Sequence, residues 1–489
     1  MANSFQSPLP FLTKPRKIHI DILPLTEKSL KAFTKEAPPH VIKQINNAGF
    51  TAKGQSTLAL LNEQGDVYAI LMGLSAPISH YDSAYAYNTA KACLSSEALK
   101  SASFAFSGTF DQECLNKLHI GWGLASYKFD TYIEKPSGER PALVHDKKAD
   151  KALVETTLNA IFTLKNLINT PANDCGPEDL ERYIKTLAKA RDAKVSVVKD
   201  DKLIEKNFPL IYTVGKASPR RPRLIELNWG SESDPKITLV GKGVAFDTGG
   251  LDIKPSQFMR HMKKDMGGAA HAINLAHMIM ALNLPVRLKL LVAAVENAID
   301  GNAFRPGDII KSRKGVFVEN TNTDAEGRLI LADTLTYAAE GEPDLIIDYA
   351  TLTGSARAAL GPDIPGMFSN NESLAHDLQR ISFHCEDPVW NMPLYHDYKK
   401  HLNSSAADIV NSAGLPGDLI YSALFLESFL VEGKKSGKVP DWIHLDCYAW
   451  EQTGRPGRPA GAADTGLRAV YAFLEHKYGP KPHKKTKKA

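Results

Sequence analysis

Short apolar runs alternate with helical patterns along most of the chain after about residue 170. Six β-branched or leucine-rich runs predict strands: KVSVVKD, LIYTVG, RLIELNW, KITLVGKG, RLKLLVAAVENA and DLIIDYATLTG. Three segments with apolar residues at helical spacing predict helices: GPEDLERYIKTLAKARD, MGGAAHAINLAHMIMALN and RLILADTLTYAAEG. Buried strands that alternate with helices favour a mostly parallel sheet flanked by helices.

The first 145 residues or so also mix strand and helix patterns. STLALLNEQGDVYAILMGL predicts two strands around a turn, and ASFAFSGTF predicts one more. DKKADKALVETTLNAIFTLKNLINTPAN predicts an amphipathic helix stopped by Pro171. With 489 residues, the chain is too long for one small core. We therefore predict an α/β fold of two domains: a smaller N-terminal α/β domain at 1–148, a connecting helix at 149–170 and a larger C-terminal domain at 171–489.

Composition narrows the class of protein. Hydrophobic residues make up 43% and charged residues 23%, an ordinary balance for a globular protein. The formal charge of +4 would be −1 without the five lysines of the terminal KPHKKTKKA, for which we predict a basic disordered tail at about 480–489. The body of the protein is therefore near neutral, which disfavours a nucleic-acid partner.

Cysteine usage and the N-terminus bear on the compartment. The five cysteines are odd in number and include no C-x-x-C pair, which argues against a disulfide framework and against a thiolate zinc site. We find no signal peptide and no run of about 18 apolar residues that could span a membrane. We expect a cytoplasmic protein that has no membrane partner.

The tripeptide Asp-Thr-Gly occurs twice, at 247–249 and 464–466, and it also carries the reactive Asp of aspartic proteases. Those enzymes are nearly all-β, whereas helical patterns flank the first copy here. The second copy stands directly before an amphipathic helix, where Asp464 or Thr465 is expected to be the N-cap. The pattern therefore disfavours a pair of carboxylates that share one proton.

Acids and lysines gather where predicted strands end, which is where sites form in open α/β sheets. The set comprises Lys242, Asp247, Asp265, Asp324 and Glu326. In an extended segment Asp324, Glu326 and Arg328 would share one face, but either acid could instead cap the following helix. Lys242 could reach solvent or lie among the acids.

Four converging carboxylates carry too much negative charge for a cleft without cations. Two divalent metal ions would neutralise them. Oxygen ligands suit Mg²⁺ and Mn²⁺ as well as Zn²⁺, so composition leaves the metal open. A lysine ligand would have to be neutral, which requires its pKa to fall far below the usual value.

At these residues the chain resembles the leucyl aminopeptidase family. NTDAEGRL at 322–329 is identical to that family's most diagnostic motif, and VGKGVAFDTGGLDIKP, MKKDMGGAA and LINTPAN match further blocks. DYATLTGSARAALG and WIHLDCYAW also have counterparts, so the resemblance covers most of residues 165–475. The resemblance implies a metal-dependent aminopeptidase, with the C-terminal domain as its catalytic domain.

The resemblance also implies roles for individual residues. Lys242, Asp247, Asp265, Asp324 and Glu326 match the ligands of two metal ions per subunit, Zn²⁺ or Mn²⁺. Lys254 and Arg328 match the catalytic lysine and arginine, and the arginine holds a bicarbonate ion in several members. Met262, Thr351, Leu352 and Gly354 match positions near the pocket for the N-terminal side chain.

The activity implied by the resemblance is release of N-terminal, preferably leucine-like, residues from peptide substrates by a metal-bridged hydroxide. The family is typically a homohexamer. The segment NSAGLPGDLIYSALFLESF departs from the family pattern at Leu415-Pro416, in a region that the resemblance places at the substrate cleft. The alternative is a relative of the same fold with a nucleic-acid-binding or non-catalytic role, but the seven matched ligand and catalytic positions disfavour lost catalysis.

Overall fold

The computed structural model describes residues 8–54, 56–74, 82–96, 99–134, 141–455 and 457–480. The chain divides into a smaller unit, Gln6–Phe162 with Gln452–Ala460, and a larger unit, Thr163–Glu451 with the segment that begins at Gly461. The predicted domain limits at 148 and 171 stay a prediction. Apart from its first residue, the predicted basic tail lies outside the described residues.

The smaller unit contains a six-stranded sheet in the order β1-β6-β5-β2-β4-β3. All neighbouring strands are parallel except β3 and β4, which form the predicted antiparallel pair. The strands are β1 (Phe11–Leu12), β2 (His19–Leu25), β3 (Thr57–Leu61), β4 (Val67–Gly73), β5 (Ser103–Phe106) and β6 (Ala142–Val144). Its helices are α1 (Glu27–Glu36), α2 (Pro39–Asn47), α3 (Asp82–Ser95) and α4 (Gln112–Ala125).

The predicted connecting helix is α5 (Lys151–Asn169), and the division between the two units falls within it. Helix α5 ends two residues before Pro171. Proline disfavours helical dihedrals at the residue before it, so the end of α5 agrees with the sequence pattern.

The larger unit is built on an eight-stranded sheet in the order β15-β14-β17-β13-β9-β10-β8-β7. The strands are β7 (Lys194–Lys199), β8 (Arg223–Trp229), β9 (Lys236–Asp247), β10 (Arg287–Asn297), β13 (Leu345–Ala350), β14 (Gly366–Ser369), β15 (Trp390–Asn391) and β17 (Asp441–Asp446). The central strands β17, β13, β9 and β10 are parallel, as predicted, and the antiparallel pairs lie towards the edges.

Two small sheets complete the strands described in this unit. Strands β11 (Ile309–Lys311), β12 (Phe317–Glu319) and β16 (Ile409–Val410) form one, and β18 (Trp450–Glu451) and β19 (Gly461–Ala462) form the other. The helices are α6 (Pro177–Ala190), α7 (Lys202–Glu205), α8 (Pro209–Gly215), α9 (Ser256–Met259), α10 (Gly267–Ala281), α11 (Glu326–Glu340), α12 (Gly354–Leu360), α13 (Glu372–His384), α14 (Asp418–Glu427) and α15 (Leu467–Tyr478). Residues Met262–Met266 and His396–Leu402 are 3-10 helices.

The large core lies between the sheet and its helices. Strand β9 packs against both α10 and α11. The side chains of Val240, Leu291, Leu331, Phe425 and Trp442 are fully buried in one apolar cluster. This core holds β9 and β10 in parallel register, which places Asp247 opposite Asn297 at the carboxyl ends of both strands.

The segment LIYTVG was predicted as a strand, and that prediction is wrong because it forms helix α8. Pro209 occupies the first turn of this helix, where its fixed φ suits a helix and its missing N–H costs nothing. Leu210, Ile211 and Val214 are completely buried. In a segment so fully buried, a run of apolar residues has no periodicity that distinguishes a strand from a helix.

No helix in the described part of the chain is long and apolar enough to cross a membrane.

Candidate metal centre

The predicted acidic residues meet at the carboxyl end of β9. Lys242 lies within that strand and Asp247 ends it, whereas Asp265 belongs to the 3-10 helix before α10. Glu326 is the first residue of α11, and Asp324 lies in the turn before it. Ligand sites of open α/β sheets form at this end of the strands, as the sequence predicted.

Three buried carboxylates form the centre of the cluster. Asp247, Asp265 and Glu326 are only 2%, 3% and 1% exposed. One oxygen atom from each lies within 4.8 Å of those of the other two, close enough to share a cation. Carboxylates this close in a low-dielectric interior need a cation between them, because their mutual repulsion is barely screened.

Lys242 supplies positive charge on one side of the cluster. Its Nζ lies 2.7 Å from Asp265 Oδ2 and 3.0 Å from Glu326 Oε1, and it donates a hydrogen bond of 2.8 Å to the carbonyl of Thr351. A Cβ at Gly327 would collide with the Lys242 side chain, so the glycine between Glu326 and Arg328 allows the lysine to pass.

Lys254 supplies positive charge on the other side. Its Nζ lies 2.9 Å from Asp247 Oδ2 and also pairs with Asp324 Oδ1. The loop between β9 and Lys254 turns through Gly249 and Gly250, whose φ angles of 86° and 63° are in the left-handed region that favours glycine. Asp324 is thus joined to the three buried carboxylates through Lys254.

The charges displace the pKa values of these groups in different directions. Burial lowers the pKa of Lys242, but the carboxylates of Asp265 and Glu326 outweigh burial and raise it above the usual range. Burial, together with the charge of Asp247, raises the pKa of Glu326. The same causes raise the pKa of Asp324 to about 6. At Glu326 and Asp324 the two lysines therefore do not offset burial and the repulsion between carboxylates.

The oxygen atoms of the cluster fit a metal site. Asp265 Oδ2, Asp324 Oδ1 and Glu326 Oε1 are buried and accept no hydrogen bond of regular geometry, although lysine ammonium groups lie at ion-pair distance. Buried polar atoms normally have hydrogen-bond partners, so these oxygens are available to a cation. Hard oxygen donors and an amine suit a divalent ion.

Asn297 orients Asp247 but was not among the predicted site residues. Its Nδ2 donates to Asp247 Oδ1 at 2.9 Å and to the carbonyl of Thr323 at 3.0 Å, and the N–H of Gly249 also donates to Asp247 Oδ1 at 2.9 Å. Asp247 Oδ2 is thereby directed to Lys254. The only signal in the sequence was the position of Asn297 at the end of a predicted strand.

Three of the predicted pocket residues, Thr351, Leu352 and Gly354, follow the end of β13, whereas Met262 begins the 3-10 helix that carries Asp265. The hydroxyl of Thr351 donates to Asp265 Oδ1 at 2.8 Å, so this residue also orients a predicted ligand. Met262 and Leu352 are half-buried, and Gly354 is exposed at the start of α12. The assignment of these four residues to a substrate pocket stays a prediction.

Asp446 supports this turn and was also missed from the sequence. Its Oδ1 accepts hydrogen bonds from the N–H groups of Leu352 and Thr353, and its Oδ2 accepts one of 2.6 Å from the Thr353 hydroxyl. Because β13 and β17 are parallel with Ala350 opposite Asp446, the carboxylate lies directly beside the turn. The sequence separation of about 95 residues hid this contact.

Arg328 is buried, and its hydrogen bonds run to Asn411, which lies before α14, and to Asp418, the first residue of α14. Its Nη1 donates to the carbonyl of Asn411 at 2.8 Å, and its Nη2 lies 3.1 Å and 3.3 Å from the two carboxylate oxygens of Asp418. Asp418 was not among the predicted site residues. It lies in the segment that departs from the family pattern.

Two local expectations were wrong. The segment from Asp324 to Arg328 is not extended, because Glu326 begins α11 and Arg328 is helical. Neither Asp324 nor Glu326 is the N-cap of α11, because that position is Ala325, whose side chain makes no capping hydrogen bond. Asp464 and Thr465 are not N-caps either, because α15 begins after Gly466.

Asp464 is not a partner of Asp247. It forms a buried ion pair of 3.3 Å with Lys165, whereas Asp247 belongs to the carboxylate cluster. Because the two Asp residues have different partners, the structure does not support an aspartic-protease pair.

Comparison with known proteins agrees with the geometry. The profile described as "Cytosol aminopeptidase family, catalytic domain" matches residues 162–471, and "M17 aminopeptidase, N-terminal domain" matches residues 20–144. The structure of a cytosol aminopeptidase from Coxiella burnetii is 40% identical, with a TM-score of 0.87 over 96% of this chain and 99% of that chain.

Two further relatives extend the comparison. A probable cytosol aminopeptidase of Syntrophotalea carbinolica is 38% identical over 371 residues, which cover 72% of this chain and 73% of that protein. The bottromycin maturation enzyme BotP, solved in complex with Mn, is 28% identical with a TM-score of 0.82 over 94% of this chain and 99% of that chain. The chain therefore belongs to the cytosol aminopeptidase family, M17, whose members are metal-dependent aminopeptidases.

Proposed function

We propose that this protein is a dinuclear leucyl aminopeptidase that removes leucine-like residues from the N-termini of peptides in the cytoplasm. The observation that carries the proposal is the set of three buried carboxylates within 4.8 Å of one another, on a chain of this family. The family membership does not favour the alternative of a nucleic-acid-binding or non-catalytic relative.

The predicted ligands of two divalent ions are Lys242, Asp247, Asp265, Asp324 and Glu326. The ions proposed are Zn²⁺ or Mn²⁺; the Mn complex of BotP supports Mn²⁺ in this fold. When bound, such ions would polarise the scissile carbonyl, make a hydroxide nucleophile available near neutral pH and anchor the free α-amino group.

Lys254 would act on the substrate directly. In the structure its ammonium is committed to Asp247 and Asp324. Cations that neutralise those carboxylates would free it to donate a hydrogen bond to the carbonyl oxygen as negative charge develops there. Burial lowers the pKa of Lys254, but the carboxylates of Asp247 and Glu326 outweigh burial and raise it above the usual range.

The proposed pocket for the N-terminal side chain consists of Met262, Thr351, Leu352 and Gly354. Half-buried Met262 and Leu352 offer apolar contacts, which favour leucine-like side chains. One methylene in such a pocket is worth only about 1–3 kcal/mol, so the preference should be graded rather than absolute.

Hydrolysis of leucine p-nitroanilide tests the proposed activity. We expect the purified protein to release p-nitroaniline, to lose activity on chelation and to regain it with Zn²⁺ or Mn²⁺. The N-acetylated substrate is the matched control and should not be cleaved, because it has no free α-amino group. Full activity in a metal-free preparation would overturn the proposal.

Metal content tests the ligand assignment separately from activity. Because Glu326 lies in the buried cluster whereas Asp324 reaches it through Lys254, Glu326→Gln should lose both ions and Asp324→Ala one of the two. Elemental analysis of dialysed protein measures the stoichiometry. Wild-type metal content in Glu326→Gln would contradict the assignment.

A further inference from the structure

The guanidinium of Arg328 already has a negatively charged partner. The residue is 3% exposed, its Nη1 is bound to the carbonyl of Asn411, and its Nη2 contacts both carboxylate oxygens of Asp418. Its Nε is buried and has no hydrogen-bond partner among the described residues. Asp418 thus already binds one of the guanidinium nitrogens that a free oxyanion such as bicarbonate would need.

The backbone holds Asp418 in that position. It is the first residue of α14, and the preceding Gly417 has a φ of 94°, which lets the chain turn sharply into the helix. A carboxylate in the first turn is stabilised by the partial positive charge of the helix N-terminus. The hydroxyl of Ser422 donates to the carbonyl of Asp418 at 2.7 Å and fastens the same turn.

A tethered carboxylate has a large advantage over a free anion. Its effective concentration at the guanidinium is of the order of millimolar or more without any ligand in solution. Carboxylate and bicarbonate present similar planar oxygen pairs to an arginine, so both would compete for the same N–H donors. The residues around Arg328 therefore do not fit the bicarbonate ion that the family resemblance implied.

We propose that Asp418 supplies from within the chain the oxyanion at Arg328, so that peptide hydrolysis by this protein does not require bicarbonate. The proposal rests on the proposed aminopeptidase function. Asp418 is a positioning residue that acts through Arg328, because its carboxylate balances the positive charge of the guanidinium and holds its orientation.

The test compares wild type with Asp418→Asn, which keeps the shape of the side chain and removes its charge. In zinc-loaded protein and carbon-dioxide-free buffer, we expect wild type to be fully active and unaffected by added bicarbonate. Asp418→Asn should lose about 10-fold or more in kcat because the guanidinium is no longer held in place, and bicarbonate should restore kcat in a saturable manner.

Two controls separate this role from a merely structural one. Asp418→Glu keeps the carboxylate and should remain independent of bicarbonate. Glu427→Gln removes an equal charge at the other end of α14, where Glu427 pairs with His396 and Lys399, and should show no response to bicarbonate.

Binding of ¹³C-labelled bicarbonate, followed by NMR line broadening, gives a readout that does not depend on activity. The expected result is binding to Asp418→Asn and none to wild type. Equal binding by the two proteins, or equal stimulation of their activities, would overturn the proposal. If wild type had no aminopeptidase activity, the proposed function would fail, whereas the NMR comparison would still decide the role of Asp418.

Discussion

Lys242 and Lys254 have identical side chains in different positions, and we propose a different role for each. Lys242 is 3% exposed and bonded on three sides, to Asp265, Glu326 and the Thr351 carbonyl. Lys254 lies at the rim of the same cluster, with a side chain that is 13% exposed and pairs with the carboxylates of Asp247 and Asp324. A lysine enclosed by ligands suits coordination, and a lysine at the rim can reach a substrate.

Lys254→Ala should separate metal binding from catalysis. Because the predicted ligands are unchanged, we expect normal metal content. Loss of the positioned donor should lower kcat by about 100-fold, as is usual for one oxyanion donor. Elemental analysis and steady-state kinetics measure the two quantities. An unchanged kcat would show that Lys254 does not contact the reacting carbonyl.

At the scale of elements, the parallel register of β13 and β17 shapes the turn at Leu352 and Thr353. Asp446 at the end of β17 binds both N–H groups of that turn, and Thr353 in turn caps α12 through a hydrogen bond from Ala356. Burial raises the pKa of Asp446, and the neighbouring His444 and the hydrogen bonds from this turn oppose that rise. The position of the proposed substrate pocket thus depends on a strand end more than 90 residues away.

Asp446→Asn should loosen this turn without emptying the metal site. The amide cannot accept on both sides, and a hydrogen bond to a charged group is worth about 1.5–3 kcal/mol. We expect kcat/KM for leucine p-nitroanilide to fall about 10-fold through a higher KM, with normal metal content. Kinetics across several aminoacyl substrates provides the measurement. An unchanged KM would argue that the turn does not line the pocket.

Helix α4 of the smaller unit carries a buried histidine that should make this unit sensitive to acid. His119 is fully buried, and burial lowers its pKa to about 4, against a usual value of 6.5. The unfolded chain therefore takes up a proton first as the pH falls. The free energy of unfolding is therefore unaffected by His119 above pH 6.5 and falls as the pH drops from 6.5 towards 4.

Between pH 7 and pH 5 this group should remove about 2 kcal/mol from the stability of the smaller unit. Hydrogen–deuterium exchange of residues 112–125 at the two pH values measures the loss. His119→Gln should show a smaller change, because the glutamine does not titrate. Equal acid sensitivity in the variant would assign the effect to other groups.

At the scale of the whole molecule, the family profiles match both units of the chain, so the smaller unit is part of the same family pattern. Within the described residues, exposed apolar side chains in the larger unit include Leu251, Ile253 and Phe258 near the site loop, and Ile309 and Phe317 on β11 and β12. Exposed apolar side chains of this size are compatible with burial in an assembly. We keep the homohexamer implied by the family as a proposal.

Light scattering on the purified protein tests the assembly. We expect a mass six times that of the 53.5 kDa chain. Deletion of the lysine-rich residues 481–489 is the matched control, and it should change neither the mass ratio nor the activity. A monomeric mass with full activity would exclude a hexamer as a requirement for catalysis.

The sequence by itself determined the fold class and grouped the charged residues of the candidate metal centre. Alternating strand and helix patterns predicted the sheet. Because the carboxyl ends of parallel strands meet at one edge, the sequence alone grouped Lys242, Asp247 and Asp265. The segment VFVENTNTDAEGRLILADT added Asp324 and Glu326 to this group, and the family resemblance then implied that both are metal ligands.

The tertiary structure alone decided the type of one fully buried element and the long-range partners of several acidic residues. A fully buried apolar segment has no periodicity to interpret, which is why α8 was taken for a strand. Only the tertiary structure shows that Asp464 pairs with Lys165, because the two residues lie about 300 positions apart in the sequence. Asp446 and Asp418 act on residues about 90 positions away, and such partners depend on strand register and helix packing, which no neighbouring residue encodes.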